Sequence, residues 1–211
     1  MTSDISAPEY YRLFIAIEVP KPVKDRIIAV QDHLKQAARD ARLTWTKPEQ
    51  LHLTLQFLGN VELARVPDLT EALAGACRGF SPLALHAAGV GCFPDWRFPR
   101  VIWVGVDDGR GKLLRLQQSV ESTVNSFTQE KEEKLFTGHV TLARVKAVRR
   151  SEARTFENAA AKFSAQSFGD WTATAVALIR SELSPTGASH TPILNALLSG
   201  SAENPESGNG G

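Results

Sequence analysis

Hydrophobic and polar positions follow two periods along this chain. Residues 12–19 (RLFIAIEV) form an apolar, β-branched run closed by Pro20, which predicts a buried strand. Over residues 21–41, apolar side chains fall at Val23, Ile27, Val30, Leu34, Ala37 and Ala38 with charges between them, which predicts a helix with one buried face. Residues 51–58 (LHLTLQFL) alternate. Leu51, Leu53, Leu55 and Phe57 fall on one face, and His52, Thr54, Gln56 and Leu58 on the other. That is a half-buried strand, expected to end at Gly59-Asn60. Residues 61–77 predict a second helix with Pro67 near its start. Residues 81–93 read as extended, 101–106 (VIWVGV) as a strand and 107–109 as a turn. A helix follows over 113–127, spaced by Leu113, Leu116, Val120, Val124 and Phe127. Then come a strand over 140–145, a short helix over 151–163 and mostly strand over 167–183. Residues 199–211 are polar, glycine-rich and aperiodic, and are expected to be disordered.

The order of elements repeats. Residues 12–60 and 101–145 each read as strand, helix and a strand bearing His-x-Thr. The expected fold class is α+β. It comprises two pseudo-symmetric lobes, each an antiparallel β-sheet with outer helices, around a central cleft. Residues 1–198 form a single bilobal domain in this reading, followed by the tail.

Composition narrows the function. The chain has 211 residues, 43% hydrophobic and 22% charged, which suits one soluble domain. A formal net charge of +1 argues against coating long nucleic acid, which requires neutralising many phosphates. It permits gripping a single phosphate. Cys77 and Cys92 make no CxxC pair and no disulfide framework, so a reducing, cytoplasmic setting is expected. Residues 1–10 do not read as a signal peptide. No run approaches the ~20 apolar residues that cross a membrane, so no membrane association is expected. No heptad pattern is present, and a monomer is expected.

The chemistry lies in a repeated motif. Leu51-His52-Leu53-Thr54-Leu55 and Gly138-His139-Val140-Thr141-Leu142 share one frame. Residues i and i+2 of a strand point to one face. Each strand therefore offers an imidazole and a hydroxyl on one side and an apolar row on the other. A single His-x-Thr is a common accident. Two copies in matched apolar strands, in a chain with five histidines, are not easily one. Two imidazoles with reference pKa near 6.5 can divide acid and base work. Threonine hydroxyls can donate to phosphate oxygens, and phosphoryl transfer depends on such positioning. A metal centre is the weaker reading, because no Asp or Glu lies within two residues of either histidine.

The chain resembles the 2H phosphoesterases, and within them the bacterial and archaeal RNA 2′,3′-cyclic phosphodiesterases once called 2′-5′ RNA ligases. The resemblance runs from about residue 12 to 198. It rests on RLFIAIEVP, HLTLQFLG, GCFPDWRFPRVIWVGV, FTGHVTLARV and SELSPTGASHTPI, in that order. It implies opening of an RNA 3′ end carrying a 2′,3′-cyclic phosphate to a 2′-phosphate, with no metal and no cofactor. His52 is then the proton donor and His139 the proton acceptor, although the near-symmetric motifs do not themselves fix that order. Thr54, Thr141 and Arg144 hold the phosphate, and Arg144 suits that task as a forked donor. Two positions depart from the family pattern: Gly138 stands where the family has Pro, and His190 where it has Tyr.

Other residues are open on sequence alone. Phe14 is a candidate base contact or a core aromatic. Trp45, Trp96, Trp103 and Trp171 read as structural, with Trp96, Arg97 and Arg100 in a loop that could border substrate. Lys146, Arg149 and Arg150 extend a basic run from Arg144. His33 and His86 receive no role. Joining RNA ends in reverse to form a 2′-5′ bond, action on another cyclic nucleotide, or an RNA-binding module without turnover stand as alternatives.

Overall fold

The computed structural model describes residues 9–37, 41–128, 135–184 and 187–201. The expected disordered tail lies almost wholly outside the described residues. Among the described residues, nine strands and four α-helices follow one another as β1 (Tyr10–Glu18), α1 (Lys21–Ala37), β2 (Arg42–Trp45), β3 (His52–Glu62), α2 (Val66–Arg78), β4 (Leu83–Phe93), β5 (Val101–Asp107), α3 (Lys112–Val124), β6 (His139–Ala147), α4 (Arg150–Ala161), β7 (Ser167–Ala173), β8 (Ala175–Ser184) and β9 (Gly187–Leu197).

The strands form one antiparallel sheet in the order β7-β4-β5-β6-β3-β1-β8-β9, with β2 pairing the far end of β6. This order reads alike from its centre outward. The two His-x-Thr strands, β6 and β3, lie side by side. Next to them come β5 and β1, then β4 and β8, then β7 and β9. The two lobes are thus two half-sheets joined at one seam. The helices exchange across it: α1 packs against β7 and α4, whereas α3 packs against β3 and α2. Pro22 opens α1, where a missing N–H costs nothing. Val23, Ile27, Val30 and Leu34 then fill one buried stripe. That stripe meets Leu53, Leu55, Val140 and Leu142 in a single core.

The structure corrects several boundaries. β3 does not stop at Gly59 but runs to Glu62, because Gly59 takes a φ of 65° inside the strand and still pairs with Leu13. A 3₁₀ turn over Leu63–Arg65 intervenes before α2, which places Pro67 in the first helical turn. The expected extended stretch over 167–183 is two strands in opposite halves of the sheet, β7 beside β4 and β8 between β1 and β9. Strands β2 and β9 carry no clear alternation in sequence and gain their structure from partners, β6 and β8.

Candidate active site

Leu53 pairs with Val140 at the seam, and both are fully buried on the core side. His52 and Thr54 on β3, and His139 and Thr141 on β6, flank that pair on either side. Alternation turns all four side chains to the other face, and all four are partly exposed.

Backbone bonds orient both rings. His139 Nδ1 lies 2.7 Å from the Thr137 carbonyl, which can only accept, so Nδ1 carries the hydrogen and Nε2 is left for the cleft. The Gln50 backbone, also two residues upstream, holds His52 in the same way. Aromatic rings brace the imidazoles from the side. Phe14 stacks on His52 at 4.8 Å between centroids and 28° between planes. His190 meets His52 edge-on at 5.5 Å and Phe14 at 4.9 Å. On the other side Phe93 meets His139 edge-on at 5.1 Å. Phe14, a candidate base contact from sequence, is 3% exposed and lies behind His52.

Electrostatics keep the free site short of protons. Burial pushes the His52 pKa from 6.5 down to about 4, with the charges of His190, Lys24 and Arg144 adding to it and the Gln50 bond opposing. Burial also lowers His139, against the raising effect of the Thr137 bond and with the help of Arg144. Among the described residues, no group of three or more His, Cys, Asp or Glu side chains comes together.

Arg144 reaches this face by a detour. It lies five residues beyond His139, an odd number, so strict alternation would send it to the core side. A β-bulge prevents that. Trp103 pairs with Thr141, but the adjacent Ile102 pairs with Ala143, so Leu142 is passed over. Parity inverts, Ala143 is buried with Leu142, and Arg144 emerges exposed opposite Val101. The skipped residue is secured through its carbonyl, which accepts from Thr46 N–H at 2.9 Å and from Gln31 Nε2 at 3.0 Å. Gln31 is 2% exposed and donates also to the Thr46 carbonyl at 2.8 Å. No pattern in the sequence signals this role, because Gln31 falls among the expected polar positions of α1.

β3 carries the same bulge. Ala16 pairs with Thr54 and Ile15 with Gln56, so Leu55 is passed over and Phe14 pairs with Phe57. Phe57, expected in the apolar row with Leu53 and Leu55, is turned to the histidine face instead. Gln56, expected beside His52 and Thr54, is 2% exposed.

The remaining candidates lie elsewhere. Arg149 engages Glu152 at the start of α4. Trp96 packs on Phe156 of the same helix. His86 meets Asp170 at 2.6 Å and His33 meets Phe163 edge-on. At Gly138, a Cβ would come within 2.3 Å of the Val106 carbonyl oxygen and 2.9 Å of Leu113 Cδ2. The residue before His139 is thus confined to glycine by contact with β5 and α3.

Comparison with known proteins bears on this geometry. The family model described as LigT like phosphoesterase matches residues 17–103 and again 104–188, once for each His-x-Thr strand. The chain is 30% identical over 182 residues to a Methanothermobacter thermautotrophicus protein named RNA 2′,3′-cyclic phosphodiesterase, covering 85% of this chain and 95% of that one. A solved structure from Thermus thermophilus superposes with a TM-score of 0.74 at 28% identity, over 90% of this chain and 100% of the other. E. coli LigT complexed with 3′-AMP superposes with a TM-score of 0.70 at 25% identity, over 90% and 99%.

Proposed function

The chain belongs to the LigT-like phosphoesterase family, and on that premise we propose that it hydrolyses RNA 2′,3′-cyclic phosphate ends to 2′-phosphomonoesters by two-histidine acid–base catalysis. The observation that carries this reading is the seam itself. It sets two imidazoles, two threonine hydroxyls and one guanidinium on a single partly exposed face.

The cyclic phosphate sits over the two His-x-Thr strands. Thr54 and Thr141 donate to its non-bridging oxygens, and Arg144 supplies the balancing charge. His139 accepts a proton from the attacking water at Nε2, while its Nδ1–H stays on the Thr137 carbonyl. His52 delivers a proton to the departing ribose 3′ oxygen, leaving the phosphate on the 2′ oxygen. The water's O–P bond forms as the P–O3′ bond breaks. With a pKa of about 4 in the free protein, His52 is neutral at pH 7. The anionic phosphate arriving beside it is the charge that favours its protonation. Phe14 and His190 hold its ring in place rather than meeting the base.

In the same reading the protein works as a cytoplasmic monomer. Among the described residues no helix is long and apolar enough to cross a membrane. Both cysteines are free and buried, and burial pushes their thiols up to about 11 for Cys77 and about 12 for Cys92, leaving them unreactive.

The test is turnover of a short oligoribonucleotide ending in a 2′,3′-cyclic phosphate, in EDTA, with the product's phosphate located by NMR. A 2′-phosphate is expected. Tight binding with the cyclic phosphate intact would overturn the reading in favour of a binding module.

A further inference from the structure

We propose that the sheet face beyond Thr141, where Arg42 and Thr44 of β2 lie beside Arg144 and Lys146 of β6, carries the RNA chain that leads 5′ from the reacting end. This rests on the reaction proposed above and adds to it the path by which the rest of the substrate leaves the site.

β2 is the strand that breaks the symmetry of the sheet. It pairs with β6 outside the mirrored strand order. Among the described residues no strand takes the matching place beside β3, whose residues 57–62 (FLGNVE) carry no cation. The register opposes Thr44 to Arg144 and Arg42 to Ala147. Leu43, Trp45 and Val145 pack against the core. Alternation therefore turns Arg42, Thr44, Arg144 and Lys146 to the other face, that of His139 and Thr141, and all four are exposed. Among the described residues no carboxylate pairs with Arg42, Arg144 or Lys146. In the other half of the sheet, by contrast, Arg180 is paired with Glu182 and lies over the Tyr11 ring.

A row of unpaired cations fits a polyanion. The cyclic phosphate brings a single negative charge, and Arg144 meets it. Arg42 and Lys146 lie past that point and take no part in the reaction. Arg144 and Lys146 stand two residues apart, about 6.8 Å along the strand. That is close to the separation of successive phosphates in an extended single strand. β2 runs about 4.8 Å to the side, so the Arg42 fork and the Thr44 hydroxyl border the same track. Contacts of this kind fix the position of a nucleic-acid backbone and do not read its bases. A formal net charge of +1 limits the hold to the few phosphates nearest the end.

The experiment compares the double variant Arg42→Gln/Lys146→Gln with wild type on adenosine 2′,3′-cyclic phosphate and on a triadenylate ending in the same cyclic phosphate, which adds two backbone phosphates. Single-strand binding loses about 0.7 of log–log salt slope per contact, so the double variant should lose about 1.4 on the trinucleotide. Between about 50 and 200 mM KCl, wild-type kcat/KM on the trinucleotide should therefore fall about sevenfold further than that of the variant. On the mononucleotide the two proteins should stay within about twofold at both salt concentrations. The charge-conserving Arg42→Lys/Lys146→Arg should keep the wild-type slope. Equal losses on both substrates, or an unchanged slope on the trinucleotide, would overturn the proposal. Should wild type turn over neither substrate, the proposed reaction fails while this inference is still decided. A triadenylate ending in a 2′-phosphate should then bind wild type more tightly than adenosine 2′-phosphate does, and Arg42→Gln/Lys146→Gln should abolish that difference. Absence of the difference in wild type, or its survival in the variant, would overturn it.

Discussion

Leu53 and Val140 face one another across the seam, each one residue past a histidine. That single pair fixes the geometry of the whole site. A slip by one residue would turn both imidazoles into the core and both apolar side chains out. Burial of Leu53 and Val140 against the helices therefore holds the catalytic register.

Replacing either histidine by alanine should lower kcat by about 10²–10⁴-fold, the usual worth of a positioned acid or base. Thermal melting should be little changed. The two roles separate on a substrate with sulfur in place of the 3′ oxygen, because a thiolate leaves without a proton. His52→Ala should regain most of its lost rate on that substrate, whereas His139→Ala should not. The opposite pattern would exchange the roles.

The pH profile follows from the shifts. Both histidines lie below 6.5 in the free protein, with His52 at about 4. One must be charged and one neutral, and kcat/KM reports the free enzyme. Its maximum should fall between about 4 and 6.5, with a decline above that. A maximum near pH 8 would contradict the assignment. Stability moves with the same group. Between pH 4 and 6.5 the unfolded chain binds the proton that folded His52 refuses, so stability rises with pH there. It is fully present above 6.5 and lost as pH falls toward 4. His52→Ala should flatten that slope in urea titrations.

Arg144→Ala should raise KM for the cyclic phosphate about tenfold or more, the loss of one charge-assisted contact. Lysine at 144 should recover only part, since it lacks the planar fork. Arg144 also lowers both histidines. Its removal should therefore move the pH maximum upward, a change that a loss of packing alone would not produce.

Gly138→Ala should cost about 1–3 kcal/mol in denaturant unfolding, because the atom its Cβ meets most closely is the Val106 backbone carbonyl oxygen, which cannot yield as a side-chain tip can. Gln31→Leu should cost a similar ~1–3 kcal/mol by removing two hydrogen bonds, one to the buried Leu142 carbonyl and one to the Thr46 carbonyl. It should also raise KM, because the bulge beneath Arg144 loses one of its two anchors. An unchanged KM in Gln31→Leu would show that Thr46 alone secures the bulge.

The His-x-Thr strands, the four helices and the two-lobed α+β plan are legible in the sequence, because each has a strong period and a matched repeat. What escapes are the effects of bulges. Alternation assigns Phe57 to the core and Gln56 to the histidine face, and the structure reverses both. The position of Arg144 follows from resemblance, yet its side of the strand does not follow from counting residues. A bulge is one extra residue whose carbonyl is satisfied from outside the ladder. Here the donors are Thr46 N–H and Gln31 Nε2, the latter more than a hundred residues away in sequence. β2 and β9 escape for a related reason, since their order comes from long-range partners.

The exchange of elements between the halves has a consequence for how such a chain could arise. β4 of the first half lies beside β5 of the second, and β8 of the second lies beside β1 of the first. A half-length chain would own a histidine strand but lack that flanking strand, and two identical copies could supply it to one another. Their symmetry axis would pass between the two histidine strands. The present chain has the architecture of such a dimer fused into one polypeptide. Fusion frees each copy to mutate alone, and a twofold scaffold can then come to hold a substrate that has no symmetry of its own.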